Sequence, residues 1–365
     1  MSKRNLLLLF LLLCPFAGAR SADDVLKLYF KSIGIQQGLS HQMVNAIVKD
    51  PQGFIWIGTA EGLNRYDGTE FHVYRHEPGN PCSLSTSWIN CLYITRDGRL
   101  FIGTEKGVNV YNAQKENFER ISAENDSRNL LGNLRIRCFC EDSKGYLWIG
   151  TLDGLIRFDR RNGLINFYKL NHYDRDKMHN EVRSLCEDSA GRLWIGTFDG
   201  LYCRETESGV FKSVPLKKAP AEGNCLISGL HIQQEDPHTL YIAATGGLRV
   251  FDTETGGERH YHTANSGIAS NDVRDMTRYD AKHVLAATSS GLSVFDIPSG
   301  GFTNFANSIT DPVSLPTQIV RCLFQDDNGL VWLGTNYGVA CCNSHRRPID
   351  VHYINDTDAE GHTTR

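Results

Sequence analysis

One short phrase returns along this chain at nearly constant spacing. It reads aromatic-Ile/Leu-Gly-Thr in five copies, with two degenerate copies between the fourth and the last. The seven copies end at Thr59, Thr104, Thr151, Thr197, Thr245, Thr288 and Thr335. Short strands that repeat every 40–50 residues are typical of propeller blades. We therefore predict an all-β protein, a seven-bladed β-propeller of four-stranded antiparallel blades.

The residues around the phrase predict where each strand turns. An Asp-x-x-Gly segment precedes it, as in Asp50 to Gly53, and a Thr-x-x-Gly segment follows it, as in Thr59 to Gly62. Asp favours the start of a turn and Gly supplies the positive φ that closes it. Each repeat therefore contains four short segments rich in β-branched and aromatic residues, which we expect to be strands. In the first repeat they are 44–49, 54–59, 62–66 and 71–74.

Alternation along the phrase predicts how the blades pack. In Trp56-Ile57-Gly58-Thr59, Trp and Gly point to one face of the sheet, and Ile and Thr to the other. A blade is covered on both faces by its neighbours, so both faces must be filled. We expect the Trp to supply bulk and the Gly to leave room for bulk from the next blade.

The two ends of the chain predict an exported domain. Lys3 and Arg4 precede an apolar run from Leu6 to Leu13, and Ala17-Gly18-Ala19 is typical of a signal-peptidase site. We assign residues 1–19 to a signal peptide cleaved after Ala19, 20–354 to the propeller and 355–365 to a polar tail. Lipid attachment at Cys14 is an alternative. Either 25–33 or 349–354 is expected to close the ring beside the seventh repeat.

Composition excludes several classes of partner. The apolar run near the N-terminus is too short to span a bilayer, and no second run reaches that length, so we expect no membrane span in the mature chain. The formal net charge is −4 and the chain has no basic runs, which argues against binding to nucleic acid or to an anionic membrane surface. We expect a periplasmic protein.

The cysteines do not have the pattern of a disulfide framework. Ten of the 11 lie beyond residue 19, and several occupy equivalent positions of different repeats. The equivalent sets are Cys91, Cys138 and Cys322, and Cys140 and Cys186. This recurrence indicates a small apolar side chain in a repeated core position. Redox activity of Cys82 with Cys91, or of Cys341 with Cys342, is the alternative.

The segment 38–68, GLSHQMVNAIVKDPQGFIWIGTAEGLNRYDG, resembles the regulatory-propeller repeat of hybrid two-component sensor histidine kinases in Gram-negative bacteria. The resemblance extends over essentially the whole chain beyond the signal peptide. It implies a periplasmic sensor propeller that recognises an oligosaccharide or related glycan and controls genes for its use. The second propeller, membrane helix and kinase segments of that family are not found in these 365 residues. We therefore expect the front end of a sensor or a free-standing module, without kinase activity of its own.

A recurring polar position predicts a ligand site. Side chains at the start of six innermost strands should ring one mouth of the central channel: Asn45, Asn90, Arg137, Arg183, Arg274 and Arg321. Guanidinium groups form bidentate hydrogen bonds with carboxylate, sulfate or phosphate, so an acidic glycan would suit such a ring. Alternatively these arginines pair with Glu61, Asp153 and Asp199 and tie blade to blade.

Exposed aromatic rings would serve sugar binding at the same face. Trp88, Tyr173 and Tyr337 are the candidates, and Trp88 is the one Trp outside the repeated phrase. His260 and His262 share a strand face, but no third metal ligand has a convincing spacing. We predict no cofactor, no metal and no catalytic residues. The alternatives are a free-standing propeller lyase, or an interaction scaffold that assembles with a second propeller or with its own copy.

Overall fold

Each of the seven repeats folds as one four-stranded antiparallel sheet. The computed structural model describes residues 26–170, 180–204, 210–217, 225–233 and 236–343. Strands of blades 1 to 3, from the inside outwards, are β2 (Val44–Lys49), β3 (Ile55–Thr59), β4 (Gly62–Tyr66) and β5 (Phe71–Tyr74); β6 (Ile89–Ile94), β7 (Leu100–Thr104), β8 (Val108–Asn112) and β9 (Asn117–Arg120); and β10 (Ile136–Glu141), β11 (Leu147–Thr151), β12 (Gly154–Asp159) and β13 (Leu164–Tyr168). The strands predicted for the first repeat are therefore confirmed to within one residue.

The later blades follow the same order. Their strands are β14 (Val182–Glu187), β15 (Leu193–Thr197), β16 (Gly200–Arg204) and β17 (Phe211–Val214); β18 (Ile227–Gln233), β19 (Asp236–Ala244), β20 (Gly247–Asp252) and β21 (Glu258–Tyr261); β22 (Val273–Arg278), β23 (His283–Thr288), β24 (Gly291–Asp296) and β25 (Gly301–Phe305); and β26 (Val320–Gln325), β27 (Leu330–Thr335) and β28 (Gly338–Asn343). A single-turn helix, α1 (Leu130–Asn133), precedes blade 3.

The ring closes through a strand from the start of the chain. β1 (Lys31–Ile33) pairs antiparallel with β28, with Lys31 opposite Cys341 and Ile33 opposite Val339, and becomes the fourth strand of blade 7. Of the two predicted closures, the N-terminal one is therefore confirmed. The competing segment 349–354, the predicted signal peptide 1–19 and the predicted tail 355–365 lie outside the described residues.

One carboxylate explains why Asp-x-x-Gly and Trp occur together. In blade 3, Oδ1 of Asp142 accepts the backbone N–H groups of Lys144 and Tyr146, which fixes the turn. Its Oδ2 accepts the indole N–H of Trp148 at 2.8 Å. The same bond joins Asp to Trp in blades 1 and 4, at 2.7 Å and 2.8 Å. The Asp therefore satisfies the polar atom of an otherwise apolar side chain buried between blades.

The glycine of the phrase marks where adjacent blades approach most closely. A Cβ atom built on Gly58 would lie 2.6 Å from Cγ2 of Ile89 in blade 2, and one on Gly150 would lie 2.8 Å from Cγ1 of Val182 in blade 4. Trp56 packs on the same side as Gly58, with Ile89 and Leu92, whereas Ile57 packs with residues of blade 7. The predicted division of the two sheet faces is confirmed.

Substitution of Gly150 with Ala should lower the free energy of unfolding by about 2 kcal/mol, because the added methyl group overpacks a filled interface. It would also lie 2.9 Å from the carbonyl oxygen of Val182, which the backbone cannot move cheaply. Denaturant unfolding followed by Trp fluorescence measures the change. Gly267→Ala is the control, since its nearest heavy atom is 3.7 Å away, and should cost under about 0.5 kcal/mol.

Blade 5 contains the natural compensation for such a methyl group. There the phrase has Ala243 in place of Gly, and the residue opposite it on the inner strand is Gly229. In blade 3 the residue opposite Gly150 is Cys138. The pair Gly150→Ala with Cys138→Gly should therefore be less destabilised than the sum of the two single variants. Strict additivity would contradict this packing account.

The cysteines pack as the sequence predicted. Cys91, Cys138 and Cys322 each lie opposite the glycine of the phrase in their own blade. The four cysteines considered for redox activity, Cys82, Cys91, Cys341 and Cys342, carry free thiols. Burial raises the pKa of the Cys140 and Cys186 thiols to about 12, so these sulfur atoms stay protonated and poorly nucleophilic.

Candidate functional site

Every innermost strand begins with the same irregularity. In all seven blades the register between the first and second strands shifts by one residue, for example between Val44 and Ala46 and between Val320 and Cys322. A bulge of this kind leaves its middle residue out of the ladder and redirects the side chain. The seven middle residues, here called the mouth ring, are Asn45, Asn90, Arg137, Arg183, Ser228, Arg274 and Arg321.

The mouth ring surrounds a cavity of about 620 Å³, here called the mouth cavity. All six polar residues predicted from the sequence line it, together with Trp88. Ser228 of blade 5 is the seventh member, which the sequence analysis missed because that repeat is degenerate. The register of its inner strand would have identified it.

A second tier of side chains stands two residues before the mouth ring. Trp88, Arg135, Leu226 and Asp272 all line the cavity from this position. Glu181 occupies the same position in blade 4 and contacts two arginines of the ring. Side chains two residues apart on a strand point to the same side, so the second tier could have been predicted from the mouth ring by counting back two residues.

Carboxylates compensate part of the positive charge. Oε1 of Glu181 lies 2.7 Å from Nε of Arg137 and 3.3 Å from Nε of Arg183, and only 2% of the Glu181 side chain is exposed. Oδ2 of Asp272 accepts hydrogen bonds from Nε and Nη2 of Arg274 at 3.0 Å and 2.9 Å. One carboxylate thus serves two guanidinium groups on one side of the ring.

The predicted acidic partners were wrong. The structure pairs the arginines of the mouth ring with Glu181 and Asp272 rather than with Glu61, Asp153 and Asp199. Asp153 instead contacts Lys169, at 3.3 Å. The Thr-x-x-Gly loop that does reach the cavity is that of blade 2, where Glu105 pairs with Arg135.

Arg321 is held by neutral groups. Its Nη2 donates to Oδ1 of Asn45 at 2.9 Å and its Nη1 to Oδ1 of Asn336 at 3.3 Å, and within the described residues no carboxylate contacts it. Burial lowers the pKa of Arg321, and the neighbouring charge of Arg274 lowers it further. Asn45 in turn donates from Nδ2 to the carbonyl of Ile89 at 2.8 Å. These bonds fix a partly buried, uncompensated cation in the wall of the cavity.

In blade 6, the residue after Arg274 of the mouth ring is Asp275, whose carboxyl group is buried. Asp275 accepts the N–H of Met276 at Oδ1 and the N–H of Leu323, in blade 7, at Oδ2, both at 2.8 Å. Burial raises the pKa of Asp275 to about 6, against the effect of these two hydrogen bonds. The position is occupied by small residues or cysteine in the other blades, so Asp275 introduces a carboxyl group that they lack.

The three aromatic side chains proposed for sugar binding do not share one site. Trp88 lines the mouth cavity with 40% of its surface exposed. Tyr337 is 66% exposed but lines a separate pocket between blades 7 and 1. Tyr173 lies outside the described residues. The rings of His260 and His262 are 5.1 Å apart, and among the described residues no group of three potential ligands could hold a metal ion.

Comparison with known proteins supports one family. The family model described as two component regulator propeller matches residues 38–61, 83–106, 129–153, 176–199 and 314–337. A stretch of 56 residues is 43% identical to histidine kinase P4 of Formosa agariphila, and it covers 15% of this chain and 4% of that kinase. The matches fall on repeats with the full phrase, which is why the degenerate repeats are absent from them.

Solved structures share the fold. The extracellular domain of a hybrid two-component system of B. thetaiotaomicron superposes with a TM-score of 0.71 at 22% identity, over 87% of this chain and 42% of that one. A second extracellular domain of the same organism gives 0.71 and 22%, over 86% and 39%. Virginiamycin B lyase from Staphylococcus aureus gives 0.66 and 12%, over 87% and 99%.

The chain therefore spans about two fifths of the length of the two extracellular domains that it resembles. Within the part of the chain that the structure describes, no helix is long and apolar enough to cross a membrane.

Proposed function

We propose that this two-component regulator propeller is the ligand-binding part of an extracellular bacterial sensor, and that its mouth cavity binds an anionic oligosaccharide. The observation that carries the proposal is Arg321, a partly buried guanidinium group in the cavity wall whose hydrogen-bond partners among the described residues are amide oxygens. A buried cation without a counter-charge is costly, and an anionic ligand would remove that cost.

The charge balance of the cavity favours an anion. Its lining contains five arginines, and three carboxylates contact them. Two positive charges therefore remain uncompensated, one at Arg321 and one shared between Arg137 and Arg183. Carboxylate and sulfate groups match this arrangement, because guanidinium groups bind planar oxyanions through paired hydrogen bonds.

The size and the remaining lining favour a sugar. A cavity of about 620 Å³ is in the range of ligand pockets of 300–1,000 Å³. Trp88 offers an exposed aromatic face on which a pyranose ring could stack. Nδ2 of Asn90 is buried and has no hydrogen-bond partner among the described residues. In the proposed complex it donates a hydrogen bond to a hydroxyl or carbonyl oxygen of the ligand.

Sensing rather than catalysis is the activity proposed for the cavity. Among the described residues its lining contains no histidine, the residue that most often acts as a general base. The matched solved domains are more than twice as long as this chain. We therefore place signal transmission in other parts of a longer sensor and ligand recognition in this propeller.

Substitution of Arg321 with Ala should weaken binding of an anionic oligosaccharide by about 10- to 100-fold, since a charged hydrogen bond contributes about 1.5–3 kcal/mol. Calorimetric titration of the purified chain with uronate-containing and sulfated oligosaccharides measures the effect, and Arg183→Ala should also weaken binding. Arg161→Ala is the control, because that side chain is 70% exposed and contacts Asp159 away from the mouth. Equal affinity in all four proteins would refute the mouth site.

A further inference from the structure

A second pocket lies where the ring closes. It has a volume of about 310 Å³ and is formed by the end of β1, the 3₁₀ turn Ile35–Gln37, and the tip of the β27–β28 hairpin. It shares no lining residue with the mouth cavity, and it was not predicted from the sequence. It is called the seam pocket here, and its lining residues used below are Ile35, Gln36, Gln37, Gln42, Pro316 and Tyr337.

The described lining of the seam pocket is neutral. It contains glutamine amides and a serine hydroxyl, and no charged side chain from the described residues lines it. Each amide group offers both donors and an acceptor in one plane, which suits neighbouring hydroxyl groups of a sugar ring. The mouth cavity, by contrast, is lined by five arginines. The two pockets therefore differ in the charge of the ligand unit that they suit.

An aromatic face completes the seam pocket. Tyr337 is 66% exposed and Ile35 is 57% exposed, although apolar side chains of this size are mostly covered elsewhere in the described residues. Three aromatic side chains of the described residues are exposed. Of these, Trp88 lines the mouth cavity and Tyr337 lines the seam pocket. The apolar face of a pyranose ring covers such a surface while its hydroxyl groups bond to the flanking amides.

The pocket is rigidly built. The N–H of Gly34 donates to Oε1 of Gln37 at 2.8 Å, and the N–H of Gly38 donates to the carbonyl of Ile35 at 2.9 Å, which closes the 3₁₀ turn. The N–H of Gly338 donates to the carbonyl of Gln42 at 2.7 Å and joins the hairpin tip to blade 1. Preformed pockets of this kind lose little conformational entropy when a ligand binds.

The seam pocket and the mouth cavity share one turn. Asn336 holds Arg321 in the wall of the mouth cavity, and the next residue, Tyr337, lines the seam pocket. Likewise Gln42 lines the seam pocket and Asn45, three residues later, lines the mouth cavity. The two pockets therefore lie on neighbouring residues of the same two loops.

We infer that the seam pocket binds an uncharged pyranose unit by stacking on Tyr337 and bonding to the glutamine amides. The inference rests on the proposed function in one respect, namely that this unit belongs to the same oligosaccharide whose anionic unit enters the mouth cavity. The ligand class is then a mixed glycan in which a neutral sugar adjoins a uronate or sulfated sugar.

Saturation-transfer NMR on the purified chain tests the inference with defined probes. The neutral probes are the methyl glycosides of glucose, galactose and mannose, and the anionic probes are those of glucuronate and galacturonate. We expect at least one neutral probe to give a signal that Tyr337→Ala reduces at least fivefold and that Tyr337→Phe retains. The same signal should be unchanged in Arg321→Ala and in Leu164→Ala, a control on an outer strand with 40% exposure.

The outcomes separate this inference from the proposed function. Loss of the anionic signal in Arg321→Ala, with no neutral probe binding, would overturn the seam pocket and leave the mouth site standing. Neutral binding that survives Tyr337→Ala would also overturn it. Neutral binding that depends on Tyr337 without any anionic binding would support the seam pocket and count against the mouth site.

Discussion

Replacing Glu258 with Ala should lower the free energy of unfolding by about 3–5 kcal/mol, the cost of leaving one member of a buried ion pair without its partner. Its Oε1 lies 2.5 Å from Nη1 of Arg249, and the two side chains are only 3% and 1% exposed. Its Oε2 also accepts the N–H of Lys217 at 2.7 Å. The substitution therefore removes the carboxylate that contacts a buried guanidinium group, and it removes a contact with the loop at Lys217 as well.

A double variant distinguishes the charge effect from lost packing. Arg249→Met with Glu258→Leu removes both charges and keeps apolar volume, so it should be considerably less destabilised than Glu258→Ala. Chemical denaturation followed by two spectroscopic probes measures all three proteins, with agreement of the probes as the check on two-state unfolding. Lys169→Ala is the control, since it breaks a half-exposed pair with Asp153 and should cost at most about 1 kcal/mol. The account fails if Glu258→Ala costs no more than this control.

The second large effect concerns pH. Because folding raises the pKa of Asp275 from 3.8 to about 6, the folded state retains a proton that the unfolded state releases. Stability contributed by this group is therefore complete only well below the unfolded pKa of 3.8, is lost as the pH rises to about 6, and stays lost above it. The whole loss is about 3 kcal/mol, at 1.36 kcal/mol for each pKa unit, and about 2.4 kcal/mol of it falls between pH 4 and pH 7.

Neutral substitutions isolate this group from the other titrating residues. The free energy of unfolding of Asp275→Asn, minus that of the unsubstituted chain, should increase by about 2.4 kcal/mol from pH 4 to pH 7. Asp275→Ala should give the same increase, although its absolute stability differs because the N–H groups of Met276 and Leu323 lose their acceptor. A difference that does not vary with pH would show that Asp275 is not held in its protonated form.

The pH range matters for the proposed site. Asp275 directly follows Arg274 of the mouth ring, and burial together with Asp275 raises the pKa of the neighbouring Cys322 thiol to about 12. Cys322 therefore stays neutral between pH 4 and pH 7, whereas the charge of Asp275, next to the ring, changes there. Calorimetric titrations of Arg321→Ala should be compared at one fixed pH for this reason.

Much of the fold followed from the sequence because a propeller is periodic. Seven copies of one phrase fix the number of blades, and the Asp-x-x-Gly and Thr-x-x-Gly turns fix four strands in each. Equivalent positions of equivalent strands must point the same way, so six polar residues at one register position were placed around a mouth before any contact was known. The pairing of Gly58 with bulk from the next blade followed from the same periodicity.

What the repeat could not supply is the chemistry between blades. Glu181 contacts both Arg137 and Arg183, and Asp272 contacts Arg274, whereas the sequence had suggested other acidic partners. Local spacing indicates which way a side chain points, but not which atoms of a distant segment come within hydrogen-bond distance.

Arg321 also shows which features the sequence determined and which ones depend on the tertiary structure. The sequence alone determined that it stands at the start of the seventh inner strand and faces the channel. Only the closed ring brings it to Asn45, 276 residues away, and leaves it without a carboxylate among the described residues. The seam pocket likewise exists only because β1 returns to β28, so residues from both ends of the propeller share a surface. Periodic burial of apolar faces fixes the architecture, whereas the charge left at the mouth depends on contacts that form after the ring has closed.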